Sequence, residues 1–532
     1  DTATTEIYTL SLHDALPILR RLNSPLEESR ALLATATIFL RRRSHGDLKS
    51  AIAYFDSAAT VRARIAGHVT GDENRLNLES SSGEIFEGWS DAWLARENEV
   101  GRGPAIDAAL AAAERGRAQA LLDLMQGGTA AASARPPRIP SVGGDLAAEG
   151  ARLIAAARGM GSPIIEYLLA KDSTTIWLIP PSGAVQVSRQ AAGRDSIAEL
   201  IRVIRNDIDA SRTANRANLS RVVEGVGVDA PDSVGAAVAA RALAGILLPP
   251  ALRARVPTRG EVVILPHGSI ALIPFSILPV DSSGKLFGDD HSIRYAPSLA
   301  TLLAAEARPR SAFRLAKPSA VSTLIVGNPD MPSIPGEDGV RHRLPSLPQA
   351  EREAQQIAAR LGGRPLDGKS ALETEVRWRL GNAQVAHFAT HGFAYSLEAR
   401  ARSSFIALAP GESNDGLLTV GEVLDELPPL KADLIVLSAC ETGLGSIKRG
   451  EGTLGLQRAF LAKGARTVLV SVWSVDDDAT RLLMEKFYTH WLDDRDDPGK
   501  TEALHRAQAD VRATAGFEHP RFWAAFQLVG AK

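Results

Sequence analysis

The chain has 532 residues, 45% of them hydrophobic, one cysteine, 60 basic against 62 acidic side chains and a formal net charge of -2. That length holds several cores, with a prior of about three to four domains, and the near-neutral balance gives no global electrostatic case for nucleic acid or an anionic membrane surface. A single cysteine excludes an intrachain disulfide and a cysteine-rich zinc site, and no apolar run approaches the roughly 20 residues of a membrane helix, so a reducing cytoplasm fits best.

Residues 1–18 (Asp1 to Ile18) lack the basic start and long apolar core of a signal peptide. They look like translated sequencing adapter and are set apart from the fold, which implies that the true amino terminus is missing. Residues 19–126 are expected to be all helical: proline is almost absent, and small and large apolar residues recur at three- and four-residue spacing, as in Ala105 to Leu122. The 34-residue period of tetratricopeptide repeats is not cleanly visible there, so spacing alone leaves an ordinary helical bundle open. Residues 127–146, with Ala134-Arg-Pro-Pro-Arg-Ile-Pro140, read as a linker that cannot bury a core.

Beyond it, strand-like and helical runs alternate: Ser173 to Ile179, a helix around Ile197 to Ile208, Glu261 to Leu265, a helix starting near Ser298, Ser322 to Gly327, a helix from Pro348 to Leu361, then Val385 to Ala389, Leu434 to Ser438 and Arg466 to Val472. Nearly continuous Val, Ile and Leu in the later strands implies a mostly parallel sheet with helices on both faces, a doubly wound α/β fold. Its strand carboxyl ends should open on one common crevice.

Two apolar runs stop at chemically competent side chains. Val385-Ala-His-Phe-Ala-Thr-His391-Gly392 ends in a histidine, and Leu434-Ile-Val-Leu-Ser-Ala-Cys440-Glu-Thr-Gly443 carries the only cysteine. A free thiol near pKa 8.5 is mostly protonated at neutral pH, so Cys440 needs a base, and His391 is the choice for it. The competing reading of Cys440 is a small buried hydrophobe at a strand end. His387 is followed by Phe388 where a zinc-protease helix needs glutamate, and is expected to be a hydrogen-bonded core histidine. His267, in Leu265-Pro-His-Gly268, is read as a turn residue because no cysteine-bearing strand follows it at suitable spacing.

Gly363-Arg-Pro-Leu-Asp-Gly368-Lys369-Ser370 satisfies the Walker A pattern, yet it follows a helix where a P-loop must leave a strand, and Pro365 removes a needed amide. Glycines 443, 445, 450 and 452 read as a mobile or cleavable loop after the cysteine. After the last strand comes Ser474-Val-Asp476-Asp477-Asp478, three carboxylates at the crevice end of the sheet. Acidic groups would raise the pKa of a neighbouring thiol, so Asp476 or Asp477 is expected to face a basic substrate side chain, while Asp478 is read as a helix cap.

With Arg449-Gly-Glu-Gly452, Val472-Trp-Ser-Val-Asp-Asp477 and the closing Arg521-Phe-Trp-Ala-Ala-Phe526 added to the histidine and cysteine motifs, the chain closely resembles the CHAT family from roughly Ile164 to Val529. These are bacterial caspase-like proteins commonly preceded by tetratricopeptide repeats. The resemblance implies a caspase-like cysteine peptidase fold, a TPR-like helical region, a first half of the domain (residues 147–318) that is a degenerate copy, and a catalytic half at 319–532. It also implies that the Gly392 and Cys440 backbone amides serve the oxyanion and that Asp476 and Asp477 match a recurring acidic pair. Relatives such as separase cleave after arginine, whereas Asp-specific caspases line the pocket with arginine.

The expected function is therefore a cysteine endopeptidase acting on a protein substrate, preferring arginine before the cut, regulated by a protein partner of the helical region, and needing no metal or other cofactor. No membrane and no direct nucleic-acid partner are expected. A catalytically silent scaffold and a P-loop nucleotidase are the competing classes.

Overall fold

The structure is a computed structural model and describes residues 15–66, 83–117, 121–122, 124–125, 145–210, 233–309, 323–335, 340–394, 402–438, 446–448, 452–493 and 498–532. Cys440, its neighbours 439 and 441–445, most of the linker and the first fourteen residues lie outside them.

The helical region contains α1 (Pro25–Arg42), α2 (Asp47–Ala66), α3 (Gly83–Ala95), α4 (Arg102–Arg115) and α5 (Leu146–Arg158), each packed on the next. α1 begins with proline in its first turn and carries Glu27 and Glu28 there and Arg41 and Arg42 in its last, the polarity that complements a helix dipole. Leu16 joins Leu32, Phe55, Ile85 and Trp89 in the shared core, although it belongs to the stretch set apart in the sequence.

The remainder is built on one eleven-stranded sheet. Its first-half members are β1 (Ile164–Leu169), β2 (Thr174–Ile179), β3 (Gln186–Gln190), β4 (Gly260–Leu265) and β5 (His291–Tyr295), with helices α6 (Arg194–Ala210), α7 (Ser233–Leu247) and α8 (Leu299–Glu306). The second half supplies β6 (Thr323–Pro329), α9 (Pro348–Leu361), β7 (Leu366–Gly368) and β8 (Val385–Ala389). A small antiparallel sheet, β9 (Gly392–Phe393), β10 (Phe405–Ala407) and β11 (Leu417–Thr419), follows. Then come β12 (Leu434–Ser438), α10 (Leu456–Lys463), β13 (Thr467–Ser471), α11 (Asp477–Asp493), α12 (Gly499–Arg512) and β14 (Phe526–Gly530).

The large sheet runs β3-β2-β1-β4-β5-β14-β13-β12-β8-β6-β7, and the antiparallel neighbours are β1/β2, β2/β3 and β13/β14. Alternation along β8 shows how it is covered. His387 meets α9 and α11 through Glu353 and Tyr488, while Phe388 on the opposite face stacks on Phe460 of α10. The doubly wound, mostly parallel fold with helices on both faces and a helical region before it is what the structure contains.

One expectation needs correction. The last strand, β14, is parallel to β5 but antiparallel to β13, so the two halves of the sheet point in opposite directions. The adjacent parallel strands β13, β12, β8, β6 and β7 end on a common crevice, whereas β1, β4, β5 and β14 run the other way and end at the opposite edge.

The helical region packs on one face of this first half, and Arg117 reaches its strand ends. Ile106, Ala109 and Leu110 of α4 and Ile154 and Ala157 of α5 share a core with Ile164, Trp177, Val263 and Leu265 of the sheet. Just past α4, Arg117 is buried and donates to the Glu166 carboxylate at 3.1 Å and to the carbonyls of Tyr167, Pro266 and Pro297 at 2.9, 2.7 and 2.9 Å. Glu114 caps α8 by accepting the N–H groups of Leu299 and Ala300 at 3.0 and 2.8 Å. No helix among the described residues is long and apolar enough to cross a membrane.

Candidate active site

The crevice is set by register. Ala389 of β8 lies level with Gly327 of β6 and with Ser438 of β12, and Leu437 lies level with Val470 of β13. In the sequence Asn328 is the first residue past that level on one side, His391 the second past it on β8, and Cys440 the second past Ser438. Gly327 permits the close cover of this end: a β-carbon there would fall 2.3 Å from the Ala354 methyl of α9.

His391 is held on both sides. Its carbonyl accepts the Ala407 N–H at 2.8 Å, and the Thr390 hydroxyl donates to the Ala407 carbonyl at 2.9 Å. The ring Nε2 lies 2.9 Å from the Pro345 carbonyl. A carbonyl only accepts, so Nε2 carries the proton and Nδ1 is the basic nitrogen. Burial lowers the His391 pKa below 6.5, partly opposed by the Pro345 carbonyl and by the Asp477 carboxylate, which both favour the imidazolium. At neutral pH the ring is therefore a neutral base, protonated on Nε2 only.

Gly392 pairs with Ile406 across β9 and β10, and the Ala407 to His391 bond makes that a non-hydrogen-bonded pair. Its N–H consequently points away from β10. Phe393 stacks on Phe405, and Met331, Ile334, Leu344 and Leu417 complete an apolar wall beside the crevice.

The acidic run divides differently from the sequence expectation. The cap of α11 is Asp476, whose Oδ1 accepts from the N–H groups of Asp478 and Ala479 at 3.1 and 3.2 Å, and not Asp478, which lies inside the first turn. Both positions carry aspartate, so propensity could not separate them. Asp477 is the carboxylate whose field reaches His391. The structure thus brings His391, Gly392 and Asp477 to one strand-end region; Cys440 lies outside the described residues.

His387 is fully buried, with Nε2 2.8 Å from the Glu353 carboxylate and Nδ1 3.3 Å from the Tyr488 hydroxyl. It ties α9, β8 and α11 together beneath the crevice, as expected of a core histidine. His267 is also buried, at the opposite edge, where its Nδ1 accepts the Leu169 N–H at 3.0 Å; it is a packed strand-end residue more than a turn residue. The Walker-like stretch leaves α9 through Gly362 in the left-handed conformation and enters edge strand β7, the reverse of a strand-to-helix phosphate loop. Sequence reasoning missed Pro345, which acts through its backbone and leaves no side-chain signal, and the partners Glu353 and Tyr488, which are far from His387 in the chain.

Residues 238–531 match the CHAT domain. Tetratricopeptide repeat protein 28 of Homo sapiens is 29% identical over 307 residues, 51% of this chain and 12% of that protein. The Mus musculus protein of the same name is 27% identical over 308 residues, again 51% and 12%. The chain thus spans a small part of the length of these curated relatives. Among solved structures, separase of Saccharomyces cerevisiae in its securin complex aligns with a TM-score of 0.49 and 10% identity, covering 98% of this chain and 44% of that one. The Arg-specific cysteine proteinase gingipain R of Porphyromonas gingivalis aligns at 0.34 and 8%, covering 63% and 74%.

Proposed function

The chain belongs to the CHAT-domain family, and from that premise we propose that it is a cysteine endopeptidase working through His391 and Cys440. His391 Nδ1 takes the thiol proton, and the sulfur attacks the peptide carbonyl. The C–N bond then breaks as the imidazolium gives its proton to the leaving amine, and water, deprotonated by the same ring, hydrolyses the thioester. Gly392 N–H and the Cys440 amide are the candidate donors to the oxyanion, each worth about 3 kcal/mol in such sites.

The observation that carries this reading is the Pro345 carbonyl on Nε2, which leaves Nδ1 as a neutral base at the strand end neighbouring the one that leads to the only cysteine. Asp477 is the proposed partner for a basic substrate side chain, since one oxygen of Asp476 is committed to the α11 cap. The helical region, docked on the sheet, is proposed to read a regulatory protein.

A thiol-directed peptidyl probe tests the chemistry. It should label the wild-type chain, and fail to label Cys440→Ala and label His391→Ala at least about a hundredfold more slowly. Equal labelling of His391→Ala would remove the dyad, and no labelling of wild type with or without partners would leave an interaction scaffold.

A further inference from the structure

Asn328 is one of three non-glycine residues with positive φ among the described residues, at 46°. It lies directly after Gly327, at the carboxyl end of β6 and level with the end of β8. Asparagine tolerates this left-handed backbone better than most residues, and such strain persists where its surroundings enforce it, often beside a site. Here the surroundings are specific. The side-chain Oδ1 accepts the Leu347 N–H at 2.7 Å and the Ser346 hydroxyl at 3.0 Å, while Nδ2 donates to the Glu351 carboxylate at 3.1 Å. One amide thus holds both residues that follow Pro345 and the first turn of α9. Leu347, the N-cap of that helix, has no side-chain oxygen to cap it.

We propose that Asn328 is a positioning residue that, by fixing Ser346 and Leu347, aims the Pro345 carbonyl at His391 Nε2 and so keeps Nδ1 turned toward the Cys440 thiol. The inference rests on the proposed His391–Cys440 pair. It assigns to the strained asparagine a role in the chemistry beyond capping α9. The chain of contacts is short: Asn328 to Leu347, Pro345 to His391, each at ordinary hydrogen-bond distance. Without the Pro345 acceptor the imidazolium loses a favourable bond and the ring can turn or change tautomer, so the thiolate it would accompany becomes harder to form.

Because the chain has one cysteine, alkylation by iodoacetamide reads Cys440 alone and needs no knowledge of the substrate. The pH at which alkylation reaches half its maximum rate should lie below the ordinary thiol value of about 8.5 in the full-length wild type and close to it in His391→Ala. Asn328→Gly accepts the positive φ without strain while removing all three side-chain bonds. It should move that midpoint upward from wild type toward His391→Ala by about half a unit or more. Ser346→Ala, which removes one exposed hydroxyl, should move it the same way by less, and decides the matter if Asn328→Gly does not fold. A wild-type midpoint equal to that of His391→Ala would overturn the dyad itself. A wild-type midpoint below it, with Asn328→Gly unchanged, or with Ser346→Ala unchanged where the glycine variant is unfolded, would overturn the positioning role and leave Asn328 as a helix cap.

Discussion

At Asp477 the arrangement sets two demands against each other. A carboxylate near His391 supports its protonated form, which favours the imidazolium that follows proton transfer, yet the same charge opposes a thiolate nearby. A cationic substrate side chain relieves the second demand without removing the first, and a guanidinium does so with two parallel hydrogen bonds. Asp477→Asn should therefore reduce cleavage of arginyl peptides about tenfold or more while relaxing the preference, as measured with a positional peptide library. A library profile led by aspartate in the wild type would reject Asp477 as the pocket acid. His387 answers a different question. Replacing it with alanine leaves the Glu353 carboxylate buried without its donor, at a cost of about 3 kcal/mol, so His387→Ala should lower the melting temperature while the surviving folded protein still reacts with the thiol probe. Loss of labelling with unchanged melting would show that His387, too, belongs to the chemistry.

Helix α9 was readable at both ends, from Pro348 to Leu361, because proline favours a first turn and Gly362 takes the left-handed conformation that stops a helix. Runs such as Leu434 to Ser438 were readable as strands because both faces are buried and no polar alternation interrupts them. What neighbours what was not. Nothing local in Phe526 to Gly530 says that this strand enters between β5 and β13, or that it reverses the sheet's direction there, since pairing partners are set by tertiary packing and not by propensity. The same holds for the site: His391 and Cys440 could be paired from their strand ends, whereas the carbonyl that chooses the basic nitrogen could not. β14 is the seam between the halves, and Gly530 shows how tight it is. Its φ is +119°, and a β-carbon there would stand 2.3 Å from the Arg466 carbonyl oxygen. Gly530→Ala should cost about 2 kcal/mol or more and raise hydrogen exchange in β5 and β13 together. Exchange rising in β13 alone would mean that the two halves are not joined through this strand.

On the scale of the whole molecule, the helical region reaches the first half's strand ends through Arg117, and that contact should respond to acid. His267 sits there at β4's end, buried and beside Arg117 and Arg194; burial first, and then these two cations, press its pKa from 6.5 down to about 3. The folded chain therefore keeps the ring neutral where the unfolded chain would protonate it. A histidine with a depressed folded pKa contributes stability that is present above 6.5 and is lost as pH falls toward 3, because in that window the unfolded state binds more protons. Between pH 6.5 and 5 the loss approaches about 2 kcal/mol, at roughly 1.4 kcal/mol per unit. The neighbouring Glu166 works the other way: burial and the Glu114 carboxylate hold its pKa well above 4.5, against the pull of Arg117, so the folded chain takes up that proton more readily and gains stability from it as pH falls toward 4.5. His267 thus makes the strand ends of the first half acid-sensitive, and replacing it isolates its share from that of Glu166. Hydrogen exchange at pH 7 and pH 5 is the measurement. The loss of protection on acidification is read at the amides of β1, β4 and α8. His267→Asn, whose side-chain oxygen can still accept the Leu169 N–H, should flatten the difference. Unchanged acid sensitivity in that variant would place the responsible group elsewhere.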